Sequence, residues 1–374
     1  MPNIAAPFDE AQLARAVTER LYRLRPEFVA RYGARGREKC SEDIAYHTRH
    51  LADALWAGDE QSFLDYVAWA AGTMVAAGVA FDDIVDSFEQ IRAAAAEELP
   101  DDVGGRIGTY IAHAIARGPS LADPPACELE DATVHGRLAR EYIELILADG
   151  RTAAERAIIH AFTHGMPLRE IYALVLLPAQ REIGRRWQTR EITVAQEHIC
   201  TLTTQRLMGR LSVDVLYRQR PRNGLRALCL CPPGERHDMG IRAFADLLEA
   251  EGWDAHCLGA DVPLRSIADA AKALRPDVVA VSASLTLHLR STAEAIAAAR
   301  AGYPYPARVI VGGRAFTGRP HLAEKVGADA CPDDLTAAVE TLRRVQPRYL
   351  GREPKVTRVR EVHSLDGLAN ASPA

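Results

Sequence analysis

After Gly224 the chain changes period. Short apolar runs at 225–231, 254–258, 277–282, 308–311 and 328–331 alternate with helical stretches at 240–251, 264–274, 291–301, 321–326 and 335–345. Runs this short and this continuous are the mark of strands buried on both faces, and strands separated by helices pair in parallel through right-handed crossovers. The expected fold is therefore an α/β, Rossmann-like, doubly wound sheet of five parallel strands. In such a sheet, ligands bind beyond the carboxyl ends of the strands, so the loops leaving them are where chemistry is sought.

Everything before Gly224 reads as helix. From Asp9 to Gly118 apolar residues recur at helical spacing, as in Leu51, Ala54, Leu55 and Val67, Ala70, Ala71, Met74. Breaks at 33–36, Gly58, Gly78 and Pro100 divide this stretch into five helices. The run Pro119-Ser-Leu-Ala-Asp-Pro-Pro125 then halts helix propagation and marks a domain boundary. A second block, 131–218, offers four helical segments split by Asp149-Gly150, Gly165-Met-Pro167 and the turn at 188–191, which suits a four-helix bundle. Pro178 inside the third segment should kink it or start a new turn. The polar, basic stretch Tyr217-Arg-Gln-Arg-Pro-Arg-Asn-Gly224 is expected to be a solvated hinge, and the polar 346–374 an irregular tail. The expected domains are 1–118, 131–218 and 225–345.

Composition narrows the function classes. Among 374 residues, 45 Lys and Arg oppose 50 Asp and Glu, a net charge of −5, so no overall charge recruits nucleic acid or an anionic membrane. The opening residues carry no basic and apolar leader, and no stretch approaches 18 uncharged apolar residues. A cytoplasmic protein without a membrane partner is expected. Seven scattered cysteines with no CxxC pair argue against a disulfide framework or a thiolate zinc site, and free, mostly buried thiols are expected.

The loop after the first strand reads Cys231-Pro-Pro-Gly-Glu-Arg-His237-Asp-Met-Gly240. It has neither a G-x-G-x-x-G nor a P-loop pattern, which removes the usual phosphate-cradling reading. Instead it carries one imidazole between Glu235, two positions earlier, and Gly240, three positions later, at a helix start. An imidazole ligates transition metals well, and a carboxylate on its other nitrogen fixes the tautomer and raises basicity. Taken alone, His237 could equally be a histidine of a polar loop, so other strand ends must decide.

The third strand ends Val281-Ser282-Ala283-Ser284-Leu285-Thr286, and the fourth ends Val311-Gly312-Gly313-Arg314. Small hydroxyls and paired glycines let a flat group approach the backbone. E-x-H-x-x-G, S-x-S-L and G-G, in this order at the first, third and fourth strand ends, resemble the cobalamin-binding domain. The stretch Leu258-Gly-Ala-Asp-Val-Pro263 resembles that family's loop after the second strand. The resemblance implies that His237 binds cobalt from below. It also implies that the displaced dimethylbenzimidazole tail lies in a slot lined by Ser282, Ser284, Leu285, Gly312 and Gly313. The family more often has Asp where Glu235 stands, a departure that bears on the length of the hydrogen bond rather than its chemistry.

A four-helix block before such a domain resembles the caps of methionine synthase and corrinoid methyl carriers, and also those of adenosylcobalamin-dependent light sensors. Here Trp187 is followed after nine residues by Glu197-His198, and Trp-x9-Glu-His is the pattern of the light-sensing caps. That likeness implies an indole over the adenosyl group, a carboxylate for ribose hydroxyls and an imidazole over the corrin plane. Read singly, each could be ordinary: a core anchor, a solvated charge, a core histidine. In related repressors the residue after the Trp is a histidine that takes the cobalt after photolysis. Here it is Gln188, so a bis-histidine photoproduct is not expected from that position, and water or His198 could take it.

Those repressors also carry a winged-helix domain. Residues 1–118 are acidic and Ala-rich with no recognition-helix pattern, so direct DNA binding is not expected. Residues 35–50 instead read as a helix with one face of basic and imidazole groups, including Arg37, His47 and His50. Such a face could pair with tetrapyrrole propionates while Phe63, Tyr66, Trp69 and Phe88 sandwich the rings; an amphipathic helix with a charged solvent face has the same pattern. The layout as a whole, a globin-like helical domain, a Trp-x9-Glu-His cap and a cobalamin domain, resembles the photocobilins, light receptors pairing adenosylcobalamin with biliverdin. Cys40 could invite a covalent bilin link, or could be a cysteine buried on a helix.

The expected function is thus a non-enzymatic adenosylcobalamin photoreceptor, with biliverdin as second chromophore, in which photolysis alters domain packing in a light-dependent homo-oligomer that acts on a downstream regulatory protein. A corrinoid methyl carrier serving a separate methyltransferase, and a cobalamin-dependent antirepressor, are the alternatives.

Overall fold

The structure, a computed structural model, describes residues 4–216, 221–302 and 307–343. The whole of the expected tail 346–374 and residues 217–220 of the hinge lie outside the described residues. Five helices come first: α1 (Glu10–Leu24), α2 (Glu27–Ala57), α3 (Glu60–Ala76), α4 (Phe81–Glu98) and α5 (Asp101–Ala116). Their ends follow local chemistry. Asp9 caps α1 by accepting from Gln12 N at 2.9 Å, and Asp59 caps α3 by accepting from Ser62 N at 3.1 Å. Gly58 closes α2 in the left-handed conformation (φ 72°). The expected break at 33–36 is only a kink at Gly33 inside α2, and the separation of α1 from α2 falls at Arg25-Pro26, where proline removes a backbone donor. Leu13, Val17, Leu51, Val67, Ile91 and Ile111 meet in the buried core of these helices.

The next helices form the expected bundle. They are α6 (Val134–Leu147), α7 (Arg151–Thr163), the short α8 (Leu168–Glu170), α9 (Leu177–Gln188) and α10 (Val194–Leu216). A π-helical turn, Ile171–Leu176, joins α8 to α9. It is how the chain accommodates Pro178: Leu177 N bonds Tyr172 O, one residue further back than an α-helix would reach. Buried hydroxyls are satisfied, as Tyr142 shares a 2.9 Å bond with Thr204.

The C-terminal part places β1 (Arg226–Leu230), β2 (Asp254–Gly259), β3 (Val278–Ser282) and β4 (Arg308–Gly312) in one parallel sheet of order β2-β1-β3-β4. Alternation decides which side chains meet which helices. Ala227, Cys229, Val278, Ala280 and Ile310 face α11 (Met239–Ala250), α15 (Leu335–Leu342) and the bundle core. Leu228, Leu230, Val279, Val281, Val309 and Val311 face α12 (Leu264–Leu274), α13 (Leu289–Gly302) and α14 (Pro320–Val326). A slip of one residue would exchange these two faces, so the register is fixed by two cores at once. The fifth expected strand is not a full one: the run at 328–331 makes a single parallel bridge, Ile310 with Ala330, before Pro332 ends it.

All seven cysteines are free, and only Cys200, Cys229 and Cys231 are buried, so the expectation of mostly buried thiols is corrected. Among the described residues no helix is long and apolar enough to cross a membrane.

Candidate functional site

From β1 the chain passes to β2 on one side and returns to β3 on the other. The loops after β1 and β3 therefore part in opposite directions and leave a crevice. The β1 loop enters it through a turn set by its own sequence. Glu235 N bonds Pro232 O, with Pro233 and Gly234 (φ 85°) between them, the residue order a type II turn requires. A side chain at Gly234 would also sit 3.1 Å from His288 Cε1.

That turn buries Glu235 completely and leaves the His237 side chain 62% exposed. Glu235 Oε1 accepts from His237 Nδ1 at 2.6 Å and from His237 N at 2.9 Å. Its other oxygen crosses the crevice to Ser284 N at 2.6 Å and Leu285 N at 3.3 Å. Burial alone would raise the Glu235 carboxyl, yet these bonds outweigh it and hold the group at about 2. The bond to Glu235 in turn raises His237 against its own desolvation. With Nδ1 donating to a carboxylate, Nε2 is the nitrogen left to ligate a metal.

The strand-end motifs lie side by side at the carboxyl ends of β3 and β4. Ser282 pairs with Gly312 across β3 and β4. A Cβ on Gly312 would meet nothing within 4 Å, and one on Gly240 only Ser282 Oγ at 3.9 Å. Gly313 differs: at φ 95°, its Cβ would lie 2.3 Å from Ala283 O. The protein thus demands glycine at 313, while at 312 it leaves open space.

The bundle supplies the opposite wall. Arg185 and Arg186 bind the buried Glu182, whose carboxyl burial would raise but which they hold at about 2, and this fixes the last turn of α9 where Trp187 stands partly buried against the bundle core. On α10, His198, Leu202 and Gln205 share one face by their spacing. Gln205 donates to Asp238 of the β1 loop at 3.4 Å, so this face looks toward His237. Glu197 accepts from His198 Nδ1 at 2.5 Å and Thr201 at 2.7 Å, and its charge contributes to raising His237. Leu202 is 65% exposed and Leu285 39%, apolar surface that a broad flat partner would cover. Open space at Gly312, a free Nε2 on His237 and these leucines fit a corrinoid.

The helical N-terminal part departs from expectation. His47 and His50 do not share a face with the arginines but turn into the core around Tyr66: His47 Nδ1 lies 2.7 Å from the Tyr66 hydroxyl and His50 stacks on its ring at 3.5 Å. Arg37 lies on the surface over Tyr22, 5.1 Å from the ring centre. Phe63, Tyr66 and Phe88 are buried, whereas Trp69 is exposed. Burial lowers His47 to about 4 and His50 well below its usual range. His47 Nε2 and His50 Nδ1 are buried without partners. Partly buried Cys40 is pushed up to about 11 by burial.

Sequence reading passed over one supporting residue. Asp261, in the loop after β2, accepts from Gly234 N at 2.7 Å and donates its own N to Glu235 O at 2.8 Å, so it props the histidine loop. Its signal was the Gly-Ala-Asp turn, where Asp261 takes a left-handed φ of 50°.

Fold and site define a cobalamin-binding protein. Residues 225–343 and 138–212 each match a B12 binding domain family. The chain is 31% identical over 252 residues to the HTH-type transcriptional repressor CarA of Myxococcus xanthus, covering 64% of this chain and 79% of that protein, and it belongs to the same family of cobalamin-binding proteins. It is also 31% identical over 162 residues to the repressor CarH of the same organism, covering 43% of this chain and 52% of CarH. The dimethylamine corrinoid protein of Methanosarcina barkeri is 32% identical over 107 residues, 28% of this chain and 49% of that protein.

Proposed function

We propose that this chain is an adenosylcobalamin-dependent light sensor rather than an enzyme. The observation that supports the reading is that Glu235 locks His237 while α10 of the bundle comes up to the same loop, Gln205 bonding Asp238 and the Glu197 charge acting on His237. Adenosylcobalamin, when bound, supplies a cobalt–carbon bond that light breaks. His237 Nε2 would hold the cobalt, and Ser282, Ser284, Leu285, Gly240, Gly312 and Gly313 would bind the nucleotide tail. Trp187 would cover the adenosyl group, and Glu197 and His198 would offer it polar partners. Loss of that group removes what the bundle packs on, so the bundle shifts against the sheet and the homo-oligomer rearranges. Units 1–118, 131–218 and 225–345 are the sensor, cap and cobalamin domains of this reading, with a regulatory protein downstream and no direct contact to DNA. The first takes biliverdin, supported by the two unpartnered nitrogens of His47 and His50; Arg37 would reach a propionate only from the surface.

The test is reconstitution in the dark with adenosylcobalamin, with and without biliverdin, followed by absorption spectra and oligomer size before and after green or red light. Unchanged spectra and size would sink the sensor reading. The similarity to the dimethylamine corrinoid protein supports a second reading, a methyl carrier. It predicts methylcobalamin in place of adenosylcobalamin and no need for Trp187.

A further inference from the structure

The five N-terminal helices touch both the sheet unit and the bundle, through different residues of one helix. At the start of α3, Asp59 lies 3.6 Å from Arg319 Nε and 3.4 Å from His321 Nε2, and Asp65 pairs with the same Arg319. Arg319 stands six residues beyond Gly313, on the sheet side. Further along α3, the carbonyl of Trp69 accepts from Gln188 Nε2 at 3.4 Å, and a Cβ on Gly72 would lie 3.4 Å from that same amide. Gln188 follows Trp187, on the bundle side.

Asp65, Trp69 and Gly72 are spaced four and three residues apart, so they share one face of α3. Seven residues of helix span about 10 Å. One face of a rigid element therefore runs from the loop after β4 to the end of α9. The sheet end is further anchored by α2. Buried Asp53 accepts from Arg290 N at 3.0 Å and from its guanidinium at 3.1 and 3.0 Å, Glu10 binds that guanidinium too, and Lys325 lies 4.9 Å from the Trp56 ring centre.

We propose that α3 is a strap that ties the bundle to the sheet unit along an edge of the cobalamin crevice, so that the N-terminal helices set how fast cobalamin enters and leaves. Gln188 is then a positioning residue: its amide faces the strap and not the crevice. The strap rests on the cobalamin-binding reading, and the two fail differently. A protein that never takes up cobalamin refutes the reading, whereas one that takes it up at a rate indifferent to α3 refutes the strap.

The experiment uses the full chain and hydroxocobalamin, followed by absorbance during uptake and during chase with excess apo-protein. Asp65→Ala loosens the sheet end at an exposed carboxylate, and Gln188→Ala loosens the bundle end. Each is expected to speed both uptake and release by about threefold to tenfold, the rate equivalent of one hydrogen bond or ion pair. Without any cobalamin, hydrogen exchange at 184–190 should rise in both variants, while exchange in α4 and α5 stays as in the parent and so reports intact folding. Rates and exchange within twofold of the parent in both variants would overturn the strap. So would faster exchange confined to whichever end was mutated, because a strap transmits loosening at Asp65 to Gln188.

Discussion

Gly313 stands so close to Ala283 that a Cβ on it would lie 2.3 Å from the Ala283 carbonyl oxygen. Its neighbour Gly312, in register with Ser282, faces open space. The two glycines thus differ: Gly313 lets β4 leave the sheet close beside β3, whereas Gly312 borders open space.

Two substitutions separate these roles. Gly313→Ala is expected to destabilise the apo-protein by about 3 kcal/mol or more through steric conflict and a disfavoured φ. Gly312→Ala should leave apo stability within about 0.5 kcal/mol yet weaken cobalamin binding roughly tenfold, since the methyl fills the tail slot. Thermal melts of the apo-protein and cobalamin titrations read both. Equal destabilisation by the two changes would refute the distinction.

Removal of Glu235 strips a carboxylate from His237 and leaves the Ser284 and Leu285 amides without their acceptor. Glu235→Ala should lower cobalamin affinity by about 10- to 100-fold. His237→Ala should abolish the spectrum of histidine-ligated, base-off cobalamin. Retention of that spectrum in His237→Ala would remove the lower-ligand assignment.

Trp187→Ala distinguishes the two cobalamin readings. A cap for the adenosyl group predicts that adenosylcobalamin dissociates about tenfold faster while hydroxocobalamin changes little, because only the first has a bulky upper group to cover. Parallel dissociation assays with the two cofactors decide it, and an identical change in both counts against the cap.

Where bundle meets sheet, Tyr172 in the π turn donates to Asp246 of α11 at 2.7 Å. Burial raises Asp246 to about 6, against the lowering effect of that hydrogen bond and Arg242. A carboxyl raised above its unfolded value favours the fold when protonated, so its contribution is fully present below the unfolded pKa and is lost as pH rises through about 6. Asp246→Asn keeps an acceptor for Tyr172 without the charge. It should melt higher than the parent at pH 7.5, with the difference vanishing near pH 4; the same difference at both pH values would refute the assignment.

Much of this protein was written locally. The alternation of short apolar runs with helices after Gly224 specified a parallel sheet, because strands buried on both faces can carry no polar periodicity; β1 and β3 are such strands, whereas the edge strand β2 is half exposed. Glu235 and His237 were legible as a pair, since residues two apart in a turn can share a hydrogen bond. Pro178 foretold an irregular third bundle helix, although only packing chose a π turn over a kink.

What the chain could not declare were meetings between distant segments. Glu235 reaches Ser284, 49 residues on, only because β1 and β3 pair side by side and bring their carboxyl ends together. The spacing of His47 and His50 put them on a helix, yet only the fit of α3 and α4 turned both imidazoles inward to Tyr66. The identity of Gln188 said merely that it was not a histidine. That its amide faces Trp69, 119 residues earlier, follows from how whole helices pack, and helix packing is decided by shape and burial summed over many residues rather than by any one of them.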